Sequence, residues 1–261
     1  MHPLLFEYKF LKLHTYGLLA VIGFLVGLYL FRKKASADNL DPELASDVAF
    51  FGFLGGFLGG RILYIITRWS YFSAHPIDMF KVWEGGLVFY GGLIGGTAVF
   101  IWRAKKHKLP VLRCLDMVAP SVAIAHMFGR FGCFAAGCCF GKPIDPNHPF
   151  AVIFKDPLSI APLNRAIHPA QLYDALNAFI LFLILQFVYS KRKFQGQTLA
   201  VYGILYSIGR SIVEVYRGDK IRGFVIEGVL STSQFISIFI FAGSVAMYLY
   251  FKNKHQKEVK A

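Results

Sequence analysis

Ionisable side chains stand inside stretches that are otherwise apolar, among them Arg61, Arg130, Asp174, Arg210 and Glu214. Such groups are costly in lipid and face a bundle interior or a wet cavity, so each is a candidate for function. Arg210 and Glu214 are four residues apart, the spacing at which two helical side chains meet on one face. Alone, that pair also fits an internal ion pair that makes a helix tolerable in lipid. Three arginines with Arg217 close by exceed what Glu214 and Asp174 neutralise, so an anion is expected among them. A guanidinium presents a bidentate fork to phosphate and never deprotonates, and lipid phosphate is the anion always present at membrane depth. Arg61 and Arg217 also suit snorkelling to an interface; that reading does not serve Arg130 and Arg210 together.

A second group is His168-Pro169-Ala170-Gln171-Leu172-Tyr173-Asp174, where an imidazole, an amide, a phenol and a carboxylate fall within two helical turns. Gln171 and Asp174 share a face with His168 just above. Polar glue between helices explains the segment as well as a site does. His126, one turn before Arg130, suits a base or an interhelical hydrogen bond, while His2, His14, His75, His107, His148 and His255 read as loop or interface residues. The segment GRFGCFAAGCCFG at 129–141 sets glycines beside a charge, which implies bent backbone lining a cavity. Cys133, Cys138 and Cys139 lie in it. Their C-x4-C-C spacing matches no standard zinc pattern, so packing, a disulfide or a reactive thiol are the open readings and no metal is assigned. Cys114 stands apart.

The elements that carry these groups follow from composition. The 261 residues are 56% apolar and only 16% charged, with a mean hydropathy of +0.50. A soluble domain runs nearer a quarter charged, so a soluble globule, a disordered chain and a disulfide mini-protein are excluded. Apolar windows of roughly 17 to 23 residues, long enough to cross a bilayer as helix, fall at 14–31, 47–66, 86–102, 114–134, 170–190, 198–216 and 230–251. The fold class is thus an all-α polytopic membrane protein of about seven transmembrane helices, one integral-membrane domain over 1–261. Basic clusters at 32–34, 103–108, 191–193 and 252–260 alternate with the windows and read as cytoplasmic. The N-terminus is then outside and the C-terminus inside, with 68–84, 135–167 and 217–229 on the far side. The first window lacks a small-residue cleavage pattern and reads as an anchor. Five prolines between Gly137 and His168 suit a small ordered extracytoplasmic cap at 135–167.

The net charge of +13 is split among short loops, so it marks topology and a pull toward anionic membrane lipids, and nucleic acid is not expected as a partner. The glycine runs lack a following Lys-Ser/Thr and sit in helical windows, so they are not nucleotide loops. Gly85, Gly86, Gly91, Gly92, Gly95 and Gly96, with Gly129, Gly132, Gly137 and Gly141, read mostly as close helix packing. No internal repeat is found, which argues against a transporter.

Taken in order, HPLLF at 2–6, TYGLL with Tyr16, GGR at 59–61, WEGGLVFYGGLIGG at 83–96, GRFGCFAAGCCFG, HPAQLYD and GRSIVEVYRGD at 209–219 resemble the prolipoprotein diacylglyceryl transferase family nearly end to end. The resemblance implies transfer of a diacylglyceryl group from phosphatidylglycerol to the lipobox cysteine thiol of preprolipoproteins, the first step of bacterial lipoprotein maturation. It implies a bacterial inner-membrane location, an active site toward the outer leaflet and no cofactor. Arg130 would head the signature segment, Arg210 and Glu214 would form the family's Arg-x3-Glu in the sixth window, and these three with Tyr90 would be the catalytic residues. Tyr16, Arg61, His168, Gln171, Arg217, Gly141, Cys133 and Cys138 would bind substrate, with Gly141 closing the signature.

The chain departs from the family where protons are handled. Tyr90 stands where histidine is usual, Cys133 and Cys138 replace an asparagine and a glutamate, and Asp174 replaces a common glutamate. A phenol with an ordinary pKa near 10 is a poor base at pH 7. Tyr90 ionised beside the arginines, His168 or His126 as base, or an arginine field that lowers the thiol pKa would each serve. A noncatalytic lipid- or lipoprotein-binding paralogue, or a transferase with another acceptor, is the alternative reading.

Overall fold

Helices form at all seven apolar windows in a computed structural model that describes residues 2–8, 11–82, 85–219 and 223–260. Trp83 and Glu84, which open the third-window motif, and 220–222 of the third far-side segment lie outside the described residues. The long helices are α1 (Thr15–Ala37), α2 (Pro42–Thr67), α4 (Phe89–Lys106), α5 (Val111–Ala136), α6 (Ala170–Ser190), α7 (Gln197–Tyr216) and α8 (Thr232–Lys260). A single turn, α3 (Trp69–Phe72), and a 3-10 turn at Pro76–Phe80 join α2 to α4. Among the described residues six helices are, by length and composition, long and apolar enough to cross a membrane, and α4 is not one of them. Gly85 and Gly86 take φ of 85° and 80°, which no helix accepts, so α4 starts at Phe89 rather than at 86. Its last turn is taken by Arg103, Lys105 and Lys106, and these three charges set it apart from the other six by composition.

The long helices are inside-out relative to a soluble bundle. On α7, Ser207, Arg210 and Glu214 are buried, whereas Ile208, Ile212 and Val215 face outward; Arg210 is 7% exposed and Ile212 57%. On α6, Gln171 and Asp174 are buried and Leu176, Leu183 and Phe187 exposed. Water would reject such a surface and lipid accepts it. The chain is therefore a multi-pass, all-α membrane protein.

Two compact units divide it, Met1–Leu30 with Leu115–Ala261, and Phe31–Cys114. In the first, Ala123, Leu181 and Leu185 make a core between α5, α6 and α7, covered by Phe182, Val201, Tyr202, Leu205 and Tyr206. A buried carboxylate fixes the start of α7. Asp116 of α5 accepts from the Gly196 amide at 2.6 Å and the Leu199 amide at 2.9 Å, satisfying donors that a helix N-terminus leaves open. Three small antiparallel pairings complete the unit: β1 (Leu4–Tyr8) with β2 (Leu11–His14), β3 (Val152–Ile153) with β4 (Ala166–Ile167), and β5 (Phe224–Ile226) with β6 (Leu230–Ser231). Between α5 and α6 the chain folds on its own small core of Phe154, Ala161 and Ile167, covered by Phe134, Phe140 and Val152.

In the second unit α2 and α4 meet backbone to backbone. A Cβ on Gly59 would collide with the Gly91 carbonyl, and one on Gly95 would lie 2.6 Å from the Gly55 carbonyl oxygen. These glycines thus serve packing. Asp41 caps α2 through the Glu43 amide at 2.8 Å. Asp47 of α2 accepts from Arg103 Nε at 2.9 Å and Nη2 at 2.6 Å, with His107 Nε2 at 2.8 Å, pinning the end of α4.

Candidate active site

Five elements of the first unit converge on the charged groups. Arg130, in the last two turns of α5, directs Nε to Asp174 Oδ2 of α6 at 2.9 Å and to His126 Nε2, one turn back, also at 2.9 Å. His126 therefore acts as an acceptor at Nε2. It lies within electrostatic reach of Arg130, Asp174 and Arg210 together, which places the three charges around one imidazole. On α7, Arg210 Nη2 pairs with Glu214 Oε2 at 2.7 Å and donates to Ser233 Oγ of α8 at 2.9 Å. Its Nη1 is buried with no hydrogen-bond partner among the described residues. A buried guanidinium N–H without an acceptor is costly to leave unmet. The Arg210–Glu214 contact of i, i+4 geometry is thus real, and it leaves one side of the fork open.

Just past α7, Arg217 grips Asp219 with two bonds, Nε to Oδ1 at 2.9 Å and Nη2 to Oδ2 at 2.6 Å. The signature segment runs beside it. Gly141 bridges antiparallel to Arg217, the Lys142 amide donates to the Tyr216 carbonyl at 2.8 Å, and the His168 amide to the Lys142 carbonyl at 2.9 Å. No side chain fits at Gly141, because a Cβ there would strike the His168 carbonyl. α5 stays helical through Gly129, Gly132 and Ala136, so the irregular backbone expected along the whole segment begins only at Gly137, with φ 75°. There the chain reverses, and Cys139 adopts φ 57°. Cys133, Cys138 and Cys139 are free thiols whose sulfurs all lie within 4.8 Å of one another. The Cys138 thiol donates to the Cys133 carbonyl at 3.7 Å, and Arg217 and Arg130 lie within electrostatic reach of Cys139.

Gln171 Nε2 donates to the Cys138 carbonyl at 2.7 Å, tying α6 to that turn, while its Oε1 is buried without a hydrogen-bond partner. His168 Nδ1 lies 3.1 Å from the Tyr173 hydroxyl and its ring packs on Tyr216. Desolvation first, then His148 and Lys142, lower its pKa, so it is neutral at pH 7. Tyr16, at the start of α1, backs onto Gly132 and lies within electrostatic reach of Arg130 and the three thiols. A shallow depression of about 490 Å³ lined by His2, Ile153, Lys155, Asp156 and Pro157 contains none of these groups.

Arg61 and Tyr90 belong to the second unit. Arg61 directs all its donors to backbone carbonyls: Nε to Met79 at 3.0 Å, Nη1 to Gly85 at 2.6 Å and Gly86 at 3.3 Å, Nη2 to Asp78 at 2.7 Å and Lys81 at 3.2 Å. Its guanidinium holds the loop before α4. Tyr90 occupies the second position of α4, beside Phe89. Sequence reasoning missed Asp116, Ser233 and the role of Asp219. Asp116 carried the same signal as Asp174, a carboxylate in an apolar window; Ser233 carried none.

The prolipoprotein diacylglyceryl transferase family model matches residues 3–250. A phosphatidylglycerol–prolipoprotein diacylglyceryl transferase of Clostridium tetani is 40% identical over 92% of this chain and 93% of its own length. A second so named, from Clostridium perfringens, is 38% identical over 95% and 94%, and one from Acinetobacter baumannii 36% identical over 87% and 84%.

Proposed function

The chain belongs to the prolipoprotein diacylglyceryl transferase family, and on that premise we propose that it moves the diacylglyceryl group of phosphatidylglycerol to the lipobox cysteine of preprolipoproteins. The acceptor sulfur attacks the glyceryl carbon. A sulfur–carbon bond forms as the carbon–oxygen bond breaks, and its electron pair leaves on the phosphate oxygen of glycerol phosphate. The developing charge needs fixed cations aimed at it in a site shielded from water. The observation that carries this reading is the buried Nη1 of Arg210, a charged donor without a hydrogen-bond partner among the described residues that suits a phosphate oxygen. Glu214 and Ser233 hold that guanidinium in place, and Asp174 with His126 does the same for Arg130.

Around this centre, Tyr16, Gln171 and His168 line the lipid cavity, and Gly141 with Arg217 keeps the turn against α7. Arg61 acts by fixing the 78–86 loop rather than by touching substrate. Of the possible proton acceptors, His126 already uses its Nε2 lone pair on Arg130, so Tyr90, His168 or a lowered thiol pKa carries that step. The enzyme sits in the bacterial inner membrane with the site toward the outer leaflet and the C-terminus in the cytoplasm; the alternating basic clusters support this topology, in which α4 makes the seventh crossing. Both substrates enter laterally from the bilayer.

The test is a transfer assay with purified protein, labelled phosphatidylglycerol and a lipobox peptide, run beside the peptide with its cysteine changed to serine. Transfer that needs the cysteine and releases glycerol phosphate supports the reading. Phosphatidylglycerol bound without transfer moves the protein to a binding role.

A further inference from the structure

The geometry of the three-cysteine turn is demanding. Cys133 lies in the last turn of α5; Gly137 ends that helix with positive φ, and Cys139 follows at φ 57°, a conformation uncommon outside glycine. The reversal brings three half-buried sulfurs within 4.8 Å of one another. Three thiolates bound to one ion at about 2.3 Å sit roughly 3.8 Å apart in tetrahedral geometry, so a shift of about 1 Å in side-chain position closes the triangle. A ligand set of sulfur alone selects thiophilic ions such as Zn²⁺ or Cu⁺ over Mg²⁺ or Ca²⁺. Arg130 and Arg217, within electrostatic reach of Cys139, offset the negative charge of such a set.

We infer that Cys133, Cys138 and Cys139 form a three-sulfur site for a thiophilic metal ion of the Zn²⁺ class, and that its fourth position takes the acceptor thiol. The second half rests on the transferase reading above. Three protein ligands with one open position is the arrangement of catalytic rather than closed structural zinc. An acceptor S–H ionises on binding there, its proton passing to solvent, and the bound sulfur then attacks the glyceryl carbon while the carbon–oxygen electron pair leaves on phosphate. The site would supply the ionised sulfur that His126, committed to Arg130, does not.

The experiment uses untagged full-length protein in detergent under reducing, anaerobic conditions, stripped by chelator and reloaded with Zn²⁺ or Co²⁺. Expected are one metal ion per chain by elemental analysis, protection of three of the four cysteines from alkylation, and a sulfur-to-cobalt charge-transfer band that shifts with the lipobox peptide but not with its serine form. Cys138→Ser/Cys139→Ser should lower binding to background. Metal-free protein with freely alkylated thiols, or a disulfide between two of these cysteines in protein isolated without reductant, overturns the site. A cobalt band indifferent to the cysteine peptide overturns the fourth-position assignment. Full transfer by chelated enzyme defeats the metal step and leaves the transferase reading standing; metal bound without any transfer defeats the transferase reading and leaves the site.

Discussion

Replacing Arg210 by lysine separates charge from geometry. Arg210 uses Nη2 for Glu214 at 2.7 Å and Ser233 at 2.9 Å, which leaves Nη1 for an oxyanion. A lysine keeps the positive charge but has a compact ammonium that cannot span both positions. If it pairs with Glu214, the phosphate contact is lost; one such donor is worth about 10²–10³ in kcat, or about 3–4 kcal/mol. Arg210→Lys should therefore fold with a melting temperature near the parent's, bind phosphatidylglycerol within about threefold and lose about 100-fold in kcat. Arg210→Ala is a poorer probe, because breaking the buried ion pair with Glu214 from one side costs roughly 3–5 kcal/mol of stability; Arg210→Ala with Glu214→Gln should recover stability without activity. The assay is initial-rate transfer of labelled diacylglyceryl to a lipobox peptide at saturating lipid. A stable Arg210→Lys enzyme with kcat within about threefold of the parent would refute the open-fork argument.

Asp116→Ala strips the acceptor from the Gly196 and Leu199 amides; at about 1–3 kcal/mol for each buried donor left unmet, thermal unfolding in detergent should move down clearly, and Asp116→Asn, which keeps one carbonyl, should fall between. Gly59→Ala drives a methyl into the Gly91 carbonyl and should lose roughly 1–3 kcal/mol by overpacking. Gly17→Ala, with open space around its Cβ, is the matched control and should be neutral or slightly stabilising. Equal unfolding of these two variants would contradict the backbone contact of α2 and α4.

Helix positions were legible because lipid imposes long apolar windows, and α6 at Ala170–Ser190 matches its window to the residue. What composition does not carry is backbone conformation. The run at 86–102 reads as one span, but only coordinates show Gly85 and Gly86 at positive φ and α4 beginning later. The pairing of Arg210 with Glu214 followed from spacing alone. The choice between Arg130 and Asp174 as partners did not, since it joins α5 to α6 across long sequence separation. Arg61 shows the opposite failure: a charge in an apolar window is read as a ligand group, whereas its fork closes on five carbonyls of a loop 17 to 25 residues away. The three-thiol cluster needed the reversal at Gly137 and Cys139, which spacing does not encode.

The burial of Arg210 and Glu214 on one side of α7 also bears on how the protein is made. An arginine near the middle of a lone helix adds about 2.5–3.5 kcal/mol to its insertion free energy, and α7 has a mean hydropathy of 1.2, the lowest of the six spans. Asp116 and Leu181 belong to helices synthesised before it, and they supply its N-terminal cap and part of its core. Emerging from the ribosome, α7 thus meets a prepared berth. Chain order N-terminal to C-terminal is part of the assembly mechanism: moving α7 ahead of α5 by circular permutation would leave the most polar of the six spans to enter lipid before Asp116, the acceptor of its N-terminal amides, is made.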